Sequence, residues 1–279
     1  MDKLNRKLLS KVFHGCLLAL SATIAYSGAM GPAAVEPAGK IYLGAFGGAG
    51  GLTSTNISQF GTAFLFEADG GPLAINAFGK SDSSSMGMVG GHIGFAWPNT
   101  IGMHIPVTPA IELEGYYMGG ADIEGHDFSN DTTRIEEHDF LVHYPVKTGV
   151  FLVNAILNAN NSLFGYFKPY AGVGIGSALV SISKASAVQL SPAEPGLNHY
   201  NADPNDKDVA LAVQPKVGLR FDFSPNTSLF AEYRFLYLSE TNYTFGSTMA
   251  PGHAATAPWL VKIDHQYYNM GTVGINFDV

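Results

Sequence analysis

Between Val209 and Phe223 the chain reads VALAVQPKVGLRFDF. Taken alternately, one set is Val209, Leu211, Val213, Pro215, Val217, Leu219, Phe221 and Phe223; the other is Ala210, Ala212, Gln214, Lys216, Gly218, Arg220 and Asp222. Apolar residues are thus separated from small or polar ones with period two over 15 positions. That is the pattern of a β-strand, whose successive side chains point to opposite faces. Ser224, Pro225 and Asn226 supply a tight turn, and the alternation resumes from Ser228 to about Ser239. There Leu229, Ala231, Tyr233, Phe235 and Tyr237 oppose Glu232 and Arg234. Two long strands joined by a short turn make an antiparallel hairpin.

The same grammar recurs along the chain. Strands are expected at Lys40 to Gly48, Met86 to Ala96, Pro109 to Met118, Val146 to Leu157, Pro169 to Ser181 and Gln266 to Val279, which with the hairpin makes eight. Ile111, Leu113, Gly115 and Tyr117 oppose Glu112, Glu114 and Tyr116; Val273, Ile275, Phe277 and Val279 oppose Thr272, Gly274, Asn276 and Asp278. The strand from Val146 has apolar residues in both phases, so its facing stays open. Long connections (49–85, 119–145, 182–208, 240–265) alternate with shorter ones (97–108, 158–168, 224–227). Long loops on one side and short turns on the other are the habit of transmembrane barrels. Trp97, Phe164, Tyr166, Phe167, Tyr170, Phe221, Phe223, Tyr267 and Phe277 fall near strand ends, as interfacial aromatic girdles do.

Composition agrees. Of 279 residues 46% are hydrophobic, 14% are charged and 33 are Gly, which excludes a disordered chain and favours strands and tight turns. A single Cys excludes a disulfide scaffold and a thiolate-built zinc site. The net charge of -8 argues against nucleic acid as a partner. Lys3, Arg6, Lys7 and Lys11 precede an apolar run from Val12 to about Tyr26, and Ser27, Gly28 and Ala29 suit a signal-peptidase cut. Residues 1–29 are therefore expected to be a secretory signal peptide and 30–279 a barrel domain. Cleavage there removes four of the 15 basic and one of the 23 acidic residues, leaving 11 against 22 and a net charge of -11. No later window approaches the ~20 apolar residues of a spanning helix, and a closed barrel is the other way a backbone can cross lipid. A secreted sandwich also alternates, but strands of ten or more residues and a polar face rich in Gly and Ala suit a narrow barrel interior better. The expected fold is all-β: an eight-stranded antiparallel up-and-down transmembrane barrel.

With these segments in view, the chain resembles the OmpA-like, porin-like family of small outer-membrane barrels. The resemblance rests on Gly39 to Gly44 (GKIYLG), Gly91 to Phe95 (GHIGF), Lys168 to Gly174 (KPYAGVG), Lys216 to Phe221 (KVGLRF) and Val273 to Val279 (VGINFDV). A weaker similarity runs to the major surface antigens of obligate intracellular bacteria. Family barrels usually end in Phe, whereas here Phe277 stands two places before Val279. The resemblance implies an outer-membrane location after signal-peptide cleavage, with surface loops for adhesion or antigenic display. The implied surroundings are outer-membrane lipid and lipopolysaccharide, with a host or surface ligand reached through the loops. A monomer with no cofactor is expected.

An eight-stranded barrel has a bore that side chains can fill. The alternation puts Glu112, Glu114 and Glu232 inside it with Lys216, Arg220 and Arg234. Three acids and three bases in that space should pair, because unpaired charge there is costly. The expected result is a plug; the rival is a narrow, ion-selective channel for small solutes. Two loops invite a metal reading. One carries Asp122, Glu124, Asp127, Asp131, Glu136, Glu137 and Asp139 with His126, His138 and His143 beside Arg134; its simpler reading is a solvated acidic loop. The other carries Asp203, Asn205, Asp206 and Asp208, whose oxygen spacing is that of calcium loops without the central Gly and final Glu. A third class, a lipid-modifying enzyme, would need His92, His104 or His199 to meet a Ser and a carboxylate, which no local spacing suggests. Gly47 to Gly51 reads as a flexible loop entry, with no helix after it to cradle phosphate.

Overall fold

The computed structural model describes residues 39–102, 106–126, 129–130, 134–159 and 166–279. The expected signal peptide, His104, Asp127, Asp131 and Phe164 lie outside these residues.

Eight long strands form the barrel: β1 (Lys40–Leu52), β4 (Ser84–Ala96), β5 (Val107–Gly125), β7 (Asp139–Ala159), β8 (Phe167–Ile182), β10 (Asp206–Ser224), β11 (Thr227–Leu238) and β14 (Gln266–Asp278). Their order is β5-β4-β1-β14-β11-β10-β8-β7, and β7 pairs back onto β5, so the sheet closes on itself without a free edge. Every pairing is antiparallel, and the first and last strands meet through Tyr42 opposite Asp278 and Leu52 opposite Tyr268. Closure lets each backbone N–H and C=O find a partner in the neighbouring strand, the condition for crossing lipid.

The alternating faces point as expected. Val209, Leu211, Val217, Leu219 and Phe223 are exposed, whereas Ala210, Ala212, Gln214 and Lys216 are buried. The open phase of β7 is settled: Val150, Leu152, Asn154 and Ile156 face inward, Phe151 and Leu157 outward. The molecule is therefore apolar outside and partly polar inside, the reverse of a soluble protein. On β14 the exposed rings of Phe277 and Tyr267 stand ten residues apart. At about 3.4 Å per residue and a tilt of about 40° this is about 26 Å, the height of the apolar band of an outer-membrane barrel. Trp97, Tyr166, Phe167 and Phe223 are exposed at the short-turn end. Tyr170 departs from the girdle expectation: it is buried, because its phase on β8 turns it into the bore to meet Glu232.

The strands run beyond the expected bounds, and the long connections fold. A second, five-stranded sheet has the order β12-β13-β2-β3-β6, built from β12 (Thr241–Phe245), β13 (Trp259–Ile263), β2 (Asn56–Ala63), β3 (Leu73–Lys80) and β6 (Ser129–Asn130). β2 follows β1 and β3 leads into β4, just as β12 follows β11 and β13 leads into β14. The β13–β2 pairing, with Leu260 opposite Phe60 and Ile263 opposite Ile57, thus repeats above the barrel the closure that β14 and β1 make within it. β9 (Ser186–Ser191) pairs with the start of β7. Gly47 to Gly51 also belongs to β1 and is no loop: a Cβ on Gly48 would lie 2.2 Å from the Gly271 carbonyl, so the glycine permits close strand approach.

Candidate functional site

β5, β10 and β11 carry the inward charges to one level of the bore. Lys216 Nζ lies 2.7 Å from Glu112 Oε2, 2.9 Å from Glu114 Oε2 and 3.7 Å from Glu232 Oε1. Arg234 donates from Nη1 to Glu114 Oε1 at 2.7 Å and from Nε to Glu232 Oε2 at 2.7 Å. Neutral donors complete the acids: Tyr42 O–H to Glu112 at 2.8 Å, Gln214 Nε2 to Glu114 at 3.0 Å and Tyr170 O–H to Glu232 at 2.8 Å. Side chains of all five charged residues are 0–3% exposed. Buried charge is tolerable when each group is paired with opposite charge, and here all five are.

Arg220 departs from the expected pairing. Among the described residues it makes no ion pair; its guanidinium lies 5.5 Å from the ring centres of both Tyr42 and Tyr170. The cation is held by ring faces. The two tyrosines donate to Glu112 and Glu232, so Arg220 still adds positive charge beside the acids. Around the network the bore is filled: Phe46 lies 4.0 Å under the Arg234 guanidinium, and His92 stacks on Phe46 while Nε2 contacts Asn276 Oδ1 at 2.9 Å. Among the described residues, neither His92 nor His199 takes a hydrogen bond from a serine hydroxyl.

Beyond the lipid band the buried core continues as an aromatic cluster among the second sheet, β9 and the tops of β5 and β7. Tyr200 O–H donates to Gln59 Oε1 at 2.5 Å and lies 2.9 Å from the Tyr144 hydroxyl, with Phe245 packed 4.8 Å from the Tyr200 ring. Burial pushes the Tyr200 hydroxyl well above its ordinary pKa and the His199 imidazole below its own. The acids of the segment from Asp203 to Asp208 accept from backbone amides. Asp206 Oδ2 accepts from Thr244 N at 2.6 Å and Asp208 Oδ2 from Asn242 N at 2.8 Å, so two carboxylates spaced by two residues occupy alternate amides along β12. Asp203 Oδ1 accepts from Asn205 N, and Asn205 Oδ1 from Lys184 N. Asp206 and Asp208 of the calcium-like spacing thus serve as a strand-edge device on β12. In the acidic segment, Asp122 and Glu124 belong to β5, and Glu124 meets His143 across the strand pair at 3.1 Å. Arg134 donates to the carbonyls of Pro72, Asp69 and Gly71, fastening the β2–β3 connection.

A closed sheet, apolar toward its surroundings over the height of a membrane and filled with paired polar groups inside, has one physical setting. The fold is that of an outer-membrane β-barrel. No protein-family model and no curated protein matches the sequence. Among solved structures, the chain is similar to the outer membrane protease OmpT of Escherichia coli, at 8% identity and TM-score 0.39 over 85% of this chain and 97% of that one. It is also similar to Neisserial surface protein A, at 11% identity and TM-score 0.32 over 85% and 96%. A third is Ail, the attachment invasion locus protein of Yersinia pestis, at 11% identity and TM-score 0.25 over 81% and 98%. At such identities and TM-scores these likenesses carry no argument about activity, and the barrel rests on the pairing of its own strands. They do not single out the OmpA-like family.

Proposed function

We propose that this outer-membrane barrel has a closed lumen and works through its folded cap, supporting the membrane and meeting a partner at the cell surface, in adhesion or antigenic display. The observation that carries the closed lumen is the ion network of Glu112, Glu114, Lys216, Glu232 and Arg234, which meets across the bore with side chains 0–3% exposed. Parting those charges to admit ions would leave several of them unpaired in low dielectric. The cap supports the surface role. Its outer face bears Phe78, 48% exposed, against Phe60 with ring centres 5.8 Å apart, and Leu260, 54% exposed, beside them. Apolar side chains grouped on an exposed sheet are a common mark of a contact surface. In this reading the chain is a monomer set in lipid and lipopolysaccharide, and no residue is given a catalytic role.

Planar bilayers holding the purified protein test the closed lumen. The expected trace shows little or no steady conductance; large, stable channels would overturn the reading in favour of a solute channel.

A further inference from the structure

Three ligand-type side chains converge in the cap, away from the lumen. Glu194 and His199 come from the connection between β9 and β10, and His253 from the connection between β12 and β13. Glu194 Oε2 lies 3.4 Å from His199 Nε2 and 3.4 Å from His253 Nε2, and the three atoms all fall within 4.8 Å of one another. The far nitrogens are already committed. His199 Nδ1 is 3.0 Å from the Ala187 carbonyl, and His253 Nδ1 is 2.6 Å from the Ala254 carbonyl. A carbonyl only accepts, so each ring carries its proton on Nδ1 and leaves the lone pair of Nε2 facing Glu194. Glu194 Oε2 is itself shielded from solvent and, among the described residues, accepts no hydrogen bond.

Three electron-rich atoms therefore face one another. A backbone carbonyl behind a ligand imidazole is also the usual second layer of a metal site, fixing tautomer and ring direction. The spacing suits a small tetrahedral ion: ligands about 2.1 Å from such a centre sit about 3.4 Å apart. The framework is rigid on one side, since the buried His199 packs edge-to-face on Phe140 at 5.1 Å and on Trp259 at 6.3 Å. Glu194 and His253 are partly exposed, which gives an ion a way in and leaves room for a water.

We infer that Glu194, His199 and His253 form a binding site for a divalent transition-metal ion of the zinc type, with a fourth position open to solvent. Two imidazoles and one carboxylate select zinc-like ions over calcium or magnesium, which prefer oxygen cages. A bound ion would tie the β9–β10 connection to the β12–β13 connection and so brace the cap.

The test uses the tag-free mature chain folded in detergent, titrated with Zn²⁺ by calorimetry and with Co²⁺ by visible absorption. One equivalent of Zn²⁺ per chain is expected, with the intense visible bands of tetrahedral cobalt and no competition from excess Ca²⁺. Glu194→Gln and His253→Ala should each weaken Zn²⁺ binding by more than about 100-fold, beyond the cost of disturbing an outer-shell partner. Unboiled gel mobility verifies that each variant is folded, and Glu194→Gln keeps the side-chain shape should the alanine variant fail. Absence of Zn²⁺ binding to the parent chain, undiminished binding in a folded variant, or equal competition by Ca²⁺ would overturn the site.

Discussion

Lys216 of β10 reaches Glu114 of β5 at 2.9 Å, although the residues are 102 positions apart and their strands are not neighbours in the barrel wall. The contact crosses the bore, and Arg234 of β11 bonds the same carboxylate. Adjacent strands cannot make such a network alone; it requires a cylinder closed at a diameter where opposite side chains touch.

Replacing Lys216→Met leaves Glu112 and Glu114 buried with reduced compensation. Urea unfolding in lipid vesicles should show a loss of about 3–5 kcal/mol, the usual consequence of breaking a buried pair from one side. Adding Glu112→Gln should recover part of that loss, with a coupling of about 1 kcal/mol or more. Strict additivity of the two substitutions would mean that the residues do not interact.

The glycines of the inner face are a second point of strain. A Cβ on Gly176 would lie 1.9 Å from the Phe151 carbonyl oxygen, a backbone atom that no rotamer change can move. Gly176→Ala should therefore cost about 1–3 kcal/mol. At Gly149, on the outer phase of β7, a Cβ meets nothing within 4 Å. Gly149→Ala should stay within about 0.5 kcal/mol of the parent in the same unfolding assay.

The barrel itself was legible because its clearest strands separate polar from apolar residues with period two, and Lys216, Glu112, Glu114, Glu232 and Arg234 all fall in the inward phase. β7 was opaque, since Val150, Leu152 and Ile156 inside and Phe151 and Leu157 outside are alike in character. The second sheet was hidden for another reason. Its strands run from two to eight residues, too few for periodicity to speak, and β13 pairs with β2 at least 200 positions away. Alternation gives the phase of Arg220 on β10, but which partner holds it depends on tyrosines of two other strands. The Glu194, His199 and His253 group gave little signal: one ligand comes from a different loop, and only His199 had drawn notice.

Asp206 and Asp208 should act as the covering of the β12 edge. Substituting both by alanine exposes the Thr244 and Asn242 amides, which they now occupy at 2.6 and 2.8 Å. Hydrogen exchange at those two amides should accelerate while β10 and β11 stay protected. Unchanged exchange would show that something else satisfies the strand.

The buried Tyr200 hydroxyl makes the cap sensitive to alkali. Its pKa is raised well above 10.0 by burial, so the folded state keeps a proton that the unfolded chain loses. This contribution to stability is complete below pH 10.0 and declines as pH rises past that value. Tyr200→Phe should cost about 1 kcal/mol at neutral pH through its lost hydrogen bonds, yet lose less further stability above pH 10. Tyrosinate absorbance followed against pH, in parent and variant, measures the difference.

The most direct measurement places single spin labels along β10 in lipid vesicles, from position 211 to 219, and records their collisions with membrane-dissolved oxygen and with a water-soluble relaxing agent. Labels at 211, 213, 217 and 219 should meet oxygen strongly, and those at 212, 214, 216 and 218 should be shielded from both, giving a period of two. High accessibility of the odd positions to the aqueous agent, or no alternation at all, would contradict a barrel that turns its apolar face to lipid and seals its charges within.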